Sequence, residues 1–196
     1  MSLTLKVSSV IGTLGVVGGS AAIVNQLTKE HQTIKDALTK VGYHVLDLEK
    51  EDSDWDTVVN AYKATLNQSK PFGNITDKVG LRKECKKLLN SDLNNKANYS
   101  SASRWCVKEE TIKAMLTRNK YKELGEATSE PSKVKWTEKV RLLKEAKDNK
   151  IIVTFNGTKD EETLANKCKS LDSIKTHADN EFEVKFIWAR EWCSEK

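Results

Sequence analysis

The sequence predicts an all-α protein in which an N-terminal membrane-spanning or signal helix is followed by two tandem, homologous three-helix units. Three observations carry that prediction. A stretch of 22 residues near the N-terminus, Val7 to Thr28, holds no charged side chain. Beyond it, apolar residues recur at the i, i+3, i+4, i+7 spacing of one helix face. A pattern of rare residues, aromatic-x-x-Ala-x-x-Trp-Cys, occurs twice, as Tyr99 to Cys106 and as Phe186 to Cys193, and a repeated pattern of that kind points to an internally duplicated chain.

Composition narrows the class. At 196 residues, 38% hydrophobic and 31% charged, the chain has the make-up of a folded globular protein. Its net charge of +5 arises from Lys and Arg dispersed among 28 acids with no block of like charge. Nucleic-acid binders gather Arg and Lys on one face beside aromatic platforms, so no nucleic-acid partner is expected. The four cysteines include no C-x-x-C pair, and the three histidines, His31, His44 and His177, are scattered. Neither offers a zinc-ligand spacing, and no metal or cofactor is expected.

Residues 1–28 form the first segment. The uncharged run at about 1.5 Å per residue spans roughly 33 Å, enough for a bilayer's hydrocarbon core. Three readings fit it: an uncleaved membrane helix across residues 7–28, an export signal with Ser20-Ala21-Ala22 as its cleavage site, or a buried glycine-rich segment. Lys6 lies on the short side, which favours a cytoplasmic N-terminus and an extracellular bulk. Gly15 and Gly19 form a G-x-x-x-G that would let two membrane helices approach closely, although glycine is also simply common in such segments. No strand precedes these glycines and no Lys-Ser or Lys-Thr follows them, so they do not read as a phosphate loop.

Residues 29–50 are predicted as a membrane-proximal helix and connector, with Ile34, Ala37, Leu38 and Val41 on one face and Gly42 as its stop. Tyr43 to Leu48 reads as a strand or an extended connector. Unit one covers 51–124, a linker 125–132, and unit two 133–196. In the first helix of each, Trp55 and Val59 match Trp136 and Val140 at an offset of 81, and Tyr62 and Leu66 extend the face of the first. In the second, Phe72, Asp77, Leu81, Cys85, Lys86 and Leu88 match Phe155, Asp160, Leu164, Cys168, Lys169 and Leu171, all at 83. The third holds the Trp-Cys pattern at 87. Thr158 to Glu161 reads as a capping box, Ile151 to Phe155 as a buried connector or short strand, and Glu109 to Leu124 as a helical extension of unit one.

Each copy places its two cysteines on the apolar faces of adjacent predicted helices. Cys85 with Cys106 and Cys168 with Cys193 is the simplest of the three pairings in an oxidising compartment; four reduced cysteines packed as small hydrophobes is the other reading. Trp55, Trp105, Trp136 and Trp192 recur at matched positions and read as core anchors rather than ligand platforms. No cysteine has a partnering base in both copies, and no catalytic group is expected.

Together the uncharged N-terminal segment, Ser-Asp-Trp-Asp at 53–56, Glu-Cys-Lys-Lys at 84–87, Ala-Ser-Arg-Trp-Cys at 102–106 and Ala-Arg-Glu-Trp-Cys at 189–193 resemble the paralogous families of uncharacterised proteins of haemotrophic mycoplasmas. The resemblance implies surface display and antigenic variation, and brings no active site with it. The expected function is that of a membrane-anchored surface module, meeting a host or surface protein without catalysis. The alternative is a secreted helical binding module for a soluble ligand or partner protein.

Overall fold

The computed structural model describes residues 33–50, 53–66 and 70–196. Among them the chain is mostly helical, with eight helices and one pair of two-residue strands. The uncharged segment 7–28, with Gly15 and Gly19, lies outside the described residues, among which no helix is long and apolar enough to cross a membrane.

Helix α1, Ile34–Val41, begins at a reciprocal cap in which Thr33 accepts from the Asp36 amide while Asp36 accepts from the Thr33 amide. It ends at Gly42, whose φ of 109° suits glycine. A Cβ there would also lie 2.7 Å from Asn119 Nδ2. Helices α2 (Ser53–Ala64), α3 (Lys78–Leu89) and α4 (Lys96–Trp105) follow. Asp77 caps α3 by accepting from the Gly80 amide, and Asn95 caps α4. After them come α5 (Ile112–Arg118), strand β1 (Lys122–Glu123), α6 (Ser132–Glu145), α7 (Asp160–Lys169), α8 (Phe182–Trp192) and strand β2 (Ser194–Glu195), which pairs antiparallel with β1.

Contacts repeat along the chain as the residue pattern does. Helix α1 packs on α3 and α4, and α2 on α3; α5 packs on α8, and α6 on α7. The Ile34 amide donates to Ser91 O and the Ile112 amide to Ile174 O. Trp55 Nε1 donates to Asp47 O and Trp136 Nε1 to Gly125 O, each at 3.0 Å. Val45 bridges Val107 as Glu123 pairs with Ser194. Gly42 and Lys120, 78 residues apart, both take positive φ. Buried aromatics and aliphatics from all eight helices merge in one core, because helices of 7 to 14 residues bury enough apolar surface only by packing on several neighbours.

Several elements sit differently from the reading of the sequence. The helix at 34–41 is part of the core rather than separate from the units: Ile34, Ala37 and Leu38 are fully buried, and the helix packs on α3 and α4. Helix α5 does not close the first unit but packs on α8, because Thr111-Ile112-Lys113, Leu116-Thr117 and Tyr121 repeat Thr33-Ile34-Lys35, Leu38-Thr39 and Tyr43 at an offset of 78. Residues 125–132 are no free linker, since Gly125 receives the Trp136 indole and Ala127 is buried. Each matched set therefore holds four helices rather than three. Helix α2 stops at Ala64, leaving Leu66 78% exposed. Thr158 forms no capping box: Lys159 adopts the left-handed conformation without a side-chain cap bond, and the Asp160 carboxylate accepts from the Asn156 and Gly157 amides. Residues Ile151 to Phe155 form a connector and no strand, as the first of the two readings has it, but the connector is only partly buried, with Ile151 inside and Ile152 76% exposed.

Candidate functional site

The four cysteines form two disulfides, Cys85–Cys106 and Cys168–Cys193, with Cα separations of 5.4 and 5.5 Å. Each ties the third helix of its matched set to the end of the fourth. Trp55, Trp105, Trp136 and Trp192 are all buried. Trp55, Trp136 and Trp192 each donate Nε1 to a backbone carbonyl, that of Asp47, Gly125 and Asn149 respectively, which satisfies the polar edge of a ring placed in a core. Trp105 has the His177 ring stacked on it 5.7 Å away and the Arg104 guanidinium 4.6 Å from its centroid.

Around Trp105 the first and second halves of the chain meet. Arg104 Nε and Nη2 donate to His177 O at 3.1 and 3.0 Å, and Nη1 donates to Asn180. His177 Nε2 lies 3.1 Å from Val107 O and acts as the donor there. Its Nδ1 has no hydrogen-bond partner and stands 3.7 Å from Glu109 Oε2. Burial lowers the His177 pKa, and the charges of Arg104 and Lys175 add to this against the Val107 bond and Glu109.

Beside this junction opens a cleft of about 540 Å³, a size that suits small ligands or a side chain of a partner. Helix α4 contributes Ser100, Ser101 and Arg104, the 176–184 segment contributes Asp179 and Phe182, and Ile152 and Trp188 stand at its apolar side. Burial opposes ionisation of Asp179, but the Lys185 hydrogen bond and the Glu181 amide, with the charges of Lys185 and Arg104, hold its carboxyl below the usual range. Under the cleft, Glu183 is 6% exposed, and its Oε2 accepts from Tyr43 Oη at 3.2 Å and Tyr99 Oη at 3.1 Å. Its Oε1 has no partner. Burial pushes the Glu183 carboxyl up to about 7, against the two tyrosines and the Arg190 charge. Burial and then the Glu183 charge raise both tyrosines well above their ordinary value, so they remain donors.

A second cavity, of about 510 Å³, lies between β1, the 124–128 loop and α7. Lys113 pairs with Glu123 at its edge at 2.5 Å, and both cysteines of the second disulfide line it. Among the described residues no group of three or more His, Cys, Asp or Glu is placed to hold a metal ion.

Sequence reasoning missed Tyr43, Arg104, His177 and Glu183 as a set. A signal for two of them lay in the positions where the copies differ: Glu183 matches exposed Lys96, and Arg104 matches Glu191, so a repeat-by-repeat comparison singles them out as residues the shared fold does not require. No protein-family model, curated protein or solved structure matches this chain.

Proposed function

We propose that this chain is a surface-displayed, disulfide-stapled binding module. It is tethered through residues 7–28 and presents the cleft beside Arg104 and Trp188 to a host or surface protein, without catalysis. The single observation that carries the reading is the pair of disulfides, each closing the same two helices of its half. Cystines persist outside the reducing cytosol, and small units with modest cores are where they occur. Two homologous copies, spanning residues 33–107 and 111–195, account for the matched caps, indole bonds and strand bridges. The cleft then lies where copy-specific residues replace shared ones, which is where a duplicated scaffold acquires a function its single unit lacked. The short exposed connectors at Pro71 and Ile152 can vary without disturbing the helices beneath, as a variable surface requires.

Protease treatment of intact cells expressing the full chain tests this. Loss of the region after Thr28 is expected, and full protection of that region contradicts display. The small residues Ser20-Ala21-Ala22 favour a second reading, a secreted module, which requires a product in the medium whose N-terminus lies just beyond Ala22.

A further inference from the structure

The two disulfides are matched in position but not in surroundings. Cys85 and Cys106 are each 0% exposed, whereas Cys168 and Cys193 are 6% and 8% exposed and both line the 510 Å³ cavity. We infer that Cys168–Cys193 is a thiol-exchange site, opened in the native fold by a small neutral or cationic thiol entering that cavity, while Cys85–Cys106 is closed to the same reagents. Exchange requires a thiolate to approach a sulfur along the S–S axis, so access decides between two otherwise equivalent bonds. The preference for charge follows from the lining, which carries Glu123, Glu126, Glu162 and Asp172 against Lys113 and Lys169, with Lys159 pairing Glu162 from outside it; an anionic thiol is repelled by that acidic excess.

The step balances as ordinary thiol–disulfide exchange. A thiolate attacks one cystine sulfur, the S–S bond breaks as a new one forms, and the other cysteine leaves as a thiolate that takes a proton from water. A second thiol then attacks the mixed disulfide, releasing the small-molecule disulfide and leaving two cysteine thiols. Two electrons pass from the two small thiols to the protein. The fold can survive this. Helix α8 stays tied by Trp192 Nε1 to Asn149 O at 2.6 Å, by Lys139 to Glu191 O, and by the β1–β2 pair. A mixed disulfide at this point places the captured group in the cavity between α7 and the 124–128 loop.

The test exposes the oxidised full chain, under native conditions, to cysteamine, 2-mercaptoethanol and 2-mercaptoethanesulfonate at equal thiolate concentration. Alkylation stops the reaction, and peptide mass analysis scores each bond. Cys168–Cys193 is expected to open about tenfold or more faster than Cys85–Cys106, because only Cys85–Cys106 requires unfolding to be reached. Cysteamine is expected to act several-fold faster than the sulfonate. Opening of both bonds at one rate, or of Cys85–Cys106 first, overturns the site. An equal or faster rate with the sulfonate overturns its charge preference.

Discussion

Replacing Glu183 by glutamine tests the buried junction quantitatively. In the unfolded chain this carboxyl titrates near 4.5, and burial in the fold pushes it up to about 7. Between those values the folded state holds a proton that the unfolded state has released, so stability falls as pH rises through that window and is level outside it. At 1.36 kcal/mol for each tenfold change, the rise from 4.5 to about 7 corresponds to about 3 kcal/mol. The glutamine side chain carries no titrating group, and its carbonyl can still accept from Tyr43 and Tyr99. The stability of Glu183→Gln minus that of the parent should therefore rise by about 3 kcal/mol between pH 4.5 and pH 8. Urea unfolding of both proteins across that range measures the difference, and titration of His177, present in both, cancels in it. A difference that stays constant within about 0.5 kcal/mol refutes the reasoning, because a buried carboxylate that costs nothing to ionise is not buried as described.

Other perturbations separate the fold's parts. Changing Cys85 and Cys106 together to Ser should lower stability by about 3 kcal/mol in denaturant unfolding, the loss expected for releasing a loop of this length. Gly42→Ala should cost more than about 1 kcal/mol, since the added Cβ meets Asn119 in a left-handed backbone, whereas Lys120→Gly at the matched position should be neutral or stabilising. Their melting temperatures should move in opposite directions or differ clearly in size. Leu81→Ala and Leu164→Ala, both at fully buried matched sites, should each cost about 2–5 kcal/mol in the same assay.

Much of the helical plan is legible in the sequence because apolar spacing reports directly on which face a helix buries. Ile34 to Val41, the Trp55 and Trp136 helices and the two cysteine-bearing pairs all follow that rule. The extent of each repeated unit is less legible. Its first helix, at 34 and again at 112, precedes the tryptophans at a different offset, and a loop of altered length hides the match between Thr33 and Thr111. Helix ends are set by local backbone chemistry that spacing does not report: Leu66 continues a plausible apolar face but follows the last turn, and Asp160 turns back to accept from the Asn156 and Gly157 amides while no Thr158 cap forms. The junction is least legible of all. Tyr43, Tyr99 and Glu183 are separated by long stretches of chain, and only tertiary packing brings two hydroxyls onto one buried carboxylate.

The redox state and pairing of the cysteines bear most directly on where this chain resides. The decisive measurement is the mass of protein recovered from intact cells after alkylation without reduction, then again after reduction, with the linked peptides mapped. No label before reduction, four after, and linkages Cys85–Cys106 and Cys168–Cys193 are the predicted result. Four labelled thiols in the native, unreduced protein would contradict it.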